Sequence, residues 1–237
     1  MNHAKPLAGA RIAVTGGTSG LGLALVERLR ERGAHVAFVA RDAGRVDAVA
    51  RRLVGTHGID GDVSMKDATH PLALRIVAAL GGLDVLVNNA STLGPVPLVP
   101  LADTDCEDLE AALATNVVGP FRLTKALLGA LAASAREGRP AQVVNIVSDA
   151  AVQAYAGWGA YGASKAALLH LSRIWNEELA PRGVRIVAHD PGDMDTPLHA
   201  LALPDADRST LVRPADAARA LVDALEAAWA TRAREAA

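Results

Sequence analysis

Short, almost wholly apolar runs alternate along this chain with longer stretches rich in alanine, leucine and arginine, and that alternation leaves few folds open. Arg11–Thr15, His35–Ala40, Thr56–Asp60, Asp84–Val87, Gln142–Val147 and Val184–Ala188 read as strands. Most of them lack the in–out alternation of a strand with one wet face. Strands of this kind are buried on both sides, as in a parallel sheet covered by helices. Leu21–Arg32, Ala43–Leu53, Asp67–Leu80, Asp105–Ala135, Ala160–Leu179 and Ala215–Arg234 read as helices. Gly33, Gly81-Gly82 and Pro181 with Gly183 supply the stops. Strand and helix repeated six times predicts an α/β fold, a doubly wound parallel sheet in a single domain spanning residues 1–237. Within Asp105–Ala135, Pro120 predicts a kink. Pro191–Leu211, with three prolines, reads as loop.

Bulk properties narrow the function classes. The 237 residues are 51% hydrophobic and 21% charged, ordinary for a globular chain, so disorder is not expected. A net charge of −2, with arginines scattered among acids, gives no electrostatic footprint for nucleic acid or an anionic membrane. One cysteine, Cys106, cannot form an internal disulfide, which suits a reducing, cytoplasmic setting. It lies in an acidic stretch and reads as inert. No Cys/His cluster has the spacing of a metal site. No apolar run approaches membrane-span length, and residues 1–8 carry no apolar leader.

The turn after the first strand, Thr15-Gly-Gly-Thr-Ser-Gly-Leu-Gly22, is built to hold phosphate. Gly16, Gly20 and Gly22 allow a tight turn and a close backbone approach, and Thr18, Ser19 and Leu21 complete it. The following helix offers unpaired N–H groups and the positive end of its dipole. The spacing is Gly-x-x-x-Gly-x-Gly. The same turn can also join strand to helix with no ligand. At the end of the second strand, Ala40-Arg41-Asp42 addresses the choice of dinucleotide. An acid there would hold a free ribose, an arginine a 2′-phosphate. Arg41 favours NADP(H); Asp42 as a ribose ligand would favour NAD(H).

Tyr161-Gly-Ala-Ser-Lys165 places a phenol and an amine on one helical face. A free tyrosine ionises near ~10, and a nearby ammonium brings that value down, which makes the pair a plausible acid–base device. The motif alone is common by chance. Here it is joined by Ser148 at the end of the fifth strand, Asn88-Asn89-Ala90 at the end of the fourth and Asp190-Pro-Gly-Asp-Met-Asp-Thr196 after the sixth. All would meet at the carboxyl edge of a parallel sheet, where ligands bind.

With these motifs in this order, the chain resembles the classical short-chain dehydrogenase/reductase family from about Leu7 to Thr196. The resemblance implies a Rossmann-like fold and a catalytic tetrad of Asn116, Ser148, Tyr161 and Lys165. It implies that Tyr161 protonates the nascent alkoxide, Ser148 binds the carbonyl oxygen, Lys165 holds the nicotinamide ribose and Asn116 positions a proton-relay water. It further implies that Asp62 and Val63 meet the adenine and that Asn89 and Ala90 wall the adenosine. Pro191, Gly192, Met194 and Thr196 would flank the nicotinamide, with Thr196 reaching phosphate. The expected function is hydride transfer between NADP(H) and a small carbonyl or alcohol.

Three departures stand out. Ser91 follows Asn-Asn-Ala where the family usually has glycine, which would be costly if the backbone there had positive φ. Asp149 sits beside Ser148, and its role is open between substrate contact and a turn cap. The usual last edge strand is missing, which predicts a homodimer built through the Asp105–Ala135 and Tyr161 helices. Residues 193–212 are the expected substrate lid, and Trp158 is either pocket or core. Two rival readings are a catalytically silent NADP(H)-binding regulator and an epimerase or dehydratase that retains its nicotinamide.

Overall fold

The computed structural model describes residues 7–235; the N-terminal segment read above for a leader lies, up to residue 6, outside them. Six parallel strands form one sheet: β1 (Arg11–Thr15), β2 (His35–Ala40), β3 (Thr56–Asp60), β4 (Val85–Asn88), β5 (Ala141–Ile146) and β6 (Val184–His189). The order is β3-β2-β1-β4-β5-β6, the doubly wound pattern, with the direction in which strands are added reversing between β1 and β4. Among the described residues no seventh strand follows, and β6 is an edge.

Helices α1 (Gly20–Glu31), α2 (Ala43–Arg52) and α8 (Pro214–Glu235) cover one face. There Ile12, Val14, Val36, Phe38, Val85 and Val87 meet Leu25, Leu29, Leu221 and Val222. Helices α3 (Thr69–Leu80), α5 (Gly119–Arg136) and α6 (Gly159–Leu179) cover the other. There Ala13, Val39, Leu86 and Val143 meet Ile76, Leu123, Leu127 and Leu131. Alternate residues of β1, β2, β4 and β5 go to opposite cores, which explains why these strands read as continuous apolar runs. At the amino edge, the wholly buried Asp84 accepts from Arg11 and Arg139 at 2.7 Å each, which holds its carboxyl down at about 2.

Two expectations change. The Asp105–Ala135 region is α4 (Cys106–Leu113) and α5 joined by a π-helical turn, Ala114–Val118. The irregularity lies in the turn just before Pro120, which follows it in continuous helical backbone and, having no N–H, cannot bond back into that turn. Such single π turns cluster at functional sites, and this one carries Asn116. The stretch expected to be loop contains a short helix, α7 (Pro197–Ala202), whose first turn is capped by Thr196 Oγ1 accepting from the His199 N–H at 3.1 Å.

Candidate active site

The carboxyl ends of β1, β2, β4, β5 and β6 open onto one cleft of about 570 Å³. Its floor at one end is the glycine turn. Gly16 and Gly20 have left-handed backbones, φ +71° and +51°, and a side chain at Gly22 would lie 2.1 Å from the Gly16 carbonyl oxygen. Asn89 braces this turn: its Nδ2 donates to the Thr15 carbonyl at 2.9 Å, while Thr15 Oγ1 accepts from the N–H groups of Asn89 and Ala90, both at 3.0 Å. Ser19 precedes α1 without spending its hydroxyl on a cap, and no acid occupies the first turn. The helix end is thus free to receive an anion. Gly16, Ser19, Gly20, Leu21, Asn89 and Ala90 line the cleft; Thr18 and Gly22 shape the turn from behind.

Arg41 lines the cleft, joined by Arg45 one turn into α2, which sequence reasoning missed. Asp42 is otherwise engaged: it accepts from the Arg45 N–H at 3.0 Å as the cap of α2. Asp62 folds onto Ser64, accepting from its N–H and hydroxyl at 2.9 and 2.7 Å, and neither Asp62 nor Val63 lines the cleft.

At the other end, Tyr161 and Lys165 project from α6. Both are buried, at 8% and 2% exposure, yet both line the cleft. Lys165 Nζ donates to the Ile146 carbonyl at 2.7 Å and lies 5.5 Å from the Tyr161 ring centre. Burial brings Lys165 down to about 8, opposed by the charge of Asp190. Burial likewise pushes Tyr161 up to about 12; the Ser148 hydroxyl opposes this, and Asp190, Asp149 and Asp193 add to it. Among the protein's own groups, then, desolvation with three carboxylates nearby raises the phenol. Ser148 caps a short turn, Asp149–Ala151, accepting from the Ala150 N–H at 3.2 Å.

Asn116 does not line the cleft. Its Oδ1 accepts from the Thr92 N–H and the Ser91 hydroxyl, at 2.9 and 3.1 Å. Its Nδ2 donates to the Thr92 carbonyl and to Ser164 Oγ, both at 2.8 Å. That saturates the amide. Ser164 in turn donates to the Tyr161 carbonyl at 2.7 Å, so the π turn, the segment after β4 and the Tyr161 helix are tied together. Ser91 earns its place by this bond, and its backbone carries no positive φ, so the feared strain is absent. Pro191, Gly192, Met194 and Thr196 line the cleft on the β6 side.

The end of the cleft beside Tyr161 and α7 carries an apolar cluster. Leu93, Ala150, Tyr161 and Ala202 form a small cluster flanked by Leu98, Trp158 and Leu198, and Trp158 packs edge-on to the Tyr161 ring at 5.7 Å. Trp158 is both wall and packing. Leu198, Leu201 and Leu203 line the cleft from α7 and its end.

A sequence model described as short chain dehydrogenase matches residues 10–206. The chain belongs to the short-chain dehydrogenase/reductase family. It is 34% identical over 223 residues to 1-deoxy-11-beta-hydroxypentalenate dehydrogenase of Streptomyces avermitilis, covering 90% of this chain and 79% of that protein. It is 33% identical over 189 residues to serine 3-dehydrogenase of Rhizobium radiobacter, covering 78% and 72%. Among solved structures, a 3-ketoacyl-(acyl-carrier-protein) reductase from Brucella melitensis complexed with NADH superimposes with TM-score 0.84 at 25% identity, covering 91% of this chain and 90% of that one. A short-chain dehydrogenase from Burkholderia cenocepacia in complex with NADP gives TM-score 0.81 at 30% identity, covering 93% and 91%. As a short-chain dehydrogenase/reductase, the chain is an NAD(P)-dependent oxidoreductase, and the glycine turn, whose close approaches leave no room for side chains, fits a pyrophosphate.

Proposed function

We propose that this oxidoreductase interconverts a small, largely apolar carbonyl compound and its alcohol with NADP(H), using Tyr161 as general acid and base. The observation that carries this reading is the placement of Tyr161 and Lys165. They stand one helical turn apart, buried, and face a single cleft that runs from a phosphate-fitting turn to an apolar wall. Bound nicotinamide supplies the hydride for reduction and takes it up in oxidation. Tyr161, protonated at neutral pH, donates its proton to the oxygen as negative charge develops there. The Ser148 hydroxyl bonds the same oxygen. Lys165 steadies the phenolate that remains and, with its value near 8, is able to return a proton to it. Asn116 acts by holding the Tyr161 helix in register through Ser164.

Arg41 and Arg45 support NADP(H): both line the cleft past β2, and Asp42 there caps α2 and pairs with Arg45 at 3.5 Å. The apolar wall favours ketones, aldehydes or dicarbonyls of modest size. A homodimer through α5 and α6 is part of the reading, supported by the outer Phe121–Trp175 stack, 5.0 Å between ring centres, and exposed Ile174 beside it. A panel of carbonyls and alcohols with both cofactors tests the proposal. NADPH consumption on an apolar carbonyl is expected. Tight NADPH binding without turnover on any member would instead favour the silent regulator, and a strong preference for NADH would refute the Arg41 role.

A further inference from the structure

The catalytic serine does not hold a free proton. A hydroxyl has one donor and two acceptor sites. Ser148 Oγ donates to Asp149 Oδ1 at 2.9 Å, and one of its lone pairs accepts from the Ala150 N–H at 3.2 Å. What Ser148 can present to Tyr161 or to a substrate oxygen is then only a lone pair. Asp149 is firmly placed for this task. Its Oδ1 also accepts from the Ala150 N–H, and its Oδ2 accepts from the Tyr155 hydroxyl, both at 2.7 Å. If Ser148 turns its proton away, each carboxylate oxygen still has a partner, so the switch costs little.

We propose that Asp149 is a positioning residue for the reaction: it takes the single Ser148 proton and thereby keeps Tyr161 in its proton-bearing form until a substrate oxygen reclaims that proton. This inference rests on the acid–base role proposed for Tyr161. The phenolate and the Asp149 carboxylate compete for one donor. While Asp149 has it, ionised Tyr161 is denied its hydrogen-bond donor and faces a neighbouring negative charge. When a carbonyl oxygen begins to gain charge, the Ser148 O–H turns to it, Tyr161 gives up its own proton to the same oxygen, and Asp149 remains bonded to Ala150 and Tyr155. No proton is created or lost; one rotates and one transfers.

The other groups facing Tyr161 are known, so the effect of Asp149 is separable. Lys165 approaches along α6, Asp190 and Asp193 from the segment after β6, and His199 lines the same cleft from α7. His189, at the end of β6, sits beside Asp190; burial pushes its imidazole down and the Asp190 charge opposes that. Removing Asp149 leaves all of these in place.

The chain has two tyrosines, Tyr155 and Tyr161. In a Tyr155→Phe background, tyrosinate absorbance therefore reports Tyr161 alone, and it is read with NADP+ bound, with and without Asp149→Asn. We expect Asp149→Asn to move the Tyr161 midpoint down by about one pH unit, which is about tenfold more phenolate at a fixed pH below it. Most of that movement should vanish in a Ser148→Ala background, where there is no proton to contest. In alcohol oxidation, the limb of the kcat/KM profile that rises with pH should move down with the midpoint; a merely structural loss would lower the rate without moving it. An unchanged midpoint and profile in Asp149→Asn, in an enzyme that turns over, overturns this inference and leaves the proposed function standing. A shifted midpoint in a protein inactive on every substrate upholds the proton competition and overturns the proposed function.

Discussion

Replacing Lys165 with methionine should abolish turnover and yet make the protein more resistant to heat at neutral pH. Lys165 is 2% exposed, and burial lowers its value from the ordinary 10.5 to about 8. That gap corresponds to roughly 3 kcal/mol of unfavourable charging in the folded state at neutral pH. The substitution also forfeits the Nζ hydrogen bond to the Ile146 carbonyl, which costs about 1–2 kcal/mol when the carbonyl is left buried. Methionine fills a similar volume, so the cavity term is small. The net gain is about 1–2 kcal/mol, or roughly 3–6 °C in melting temperature for a chain of this size. The sign follows from proton linkage. The cost is fully present below the folded value of about 8 and is relieved as pH rises toward the unfolded value, since the folded lysine loses its proton first. Thermal unfolding of the two proteins between about pH 6 and pH 10 should therefore show the advantage of Lys165→Met shrinking, and then reversing, with rising pH. If the variant melts lower than the parent by a constant amount across that range, the buried lysine carries no charging cost and the reasoning fails.

Three further outcomes are expected. Gly22→Ala pushes a methyl group to 2.1 Å from the Gly16 carbonyl oxygen and 2.5 Å from Asn89 Nδ2, so the turn must deform; NADPH affinity, read by tryptophan fluorescence, should fall at least about tenfold, a cost of ~1.4 kcal/mol. Arg41→Ala combined with Arg45→Ala should cut kcat/KM for NADPH by about 10–100-fold, as expected for loss of charge-assisted hydrogen bonds, and leave NADH nearly untouched; equal losses for both cofactors would remove the phosphate role. Asn116→Ala strands the Thr92 N–H, the Thr92 carbonyl and the Ser91 hydroxyl, and should cost about 2–4 kcal/mol in denaturant unfolding while leaving the pH profile of turnover in place.

What could be read from the chain before its structure follows a physical boundary. The inner strands were legible because each is buried on both faces and carries a signal several residues long. The glycine turn was legible because its backbone demands are local. The π turn was legible only as an irregularity near Pro120; that it would carry Asn116 onto Thr92 and Ser164, distant in sequence, was not. Helix α7 was legible in principle, since Thr196-Pro197 is an N-cap followed by a first-turn proline, but the surrounding prolines masked it. The adjacency of Tyr161 and Lys165 could be read from spacing, whereas their titration could not. Burial sets it, and burial depends on the whole fold. Arg45 and Tyr155 went unnoticed because their partners at the site, Arg41 and Asp149, come together only once the loops are placed.

If Tyr161 passes the proton while its neighbours bind the cofactor, removing its hydroxyl separates chemistry from binding. Single-turnover hydride transfer by Tyr161→Phe, with NADPH affinity measured on the same preparation, tests it directly. The expected result is affinity within about twofold of the parent, a change of ~0.4 kcal/mol, and transfer slowed by roughly 10²–10⁴-fold. Transfer at the parental rate with cofactor bound as before would contradict it.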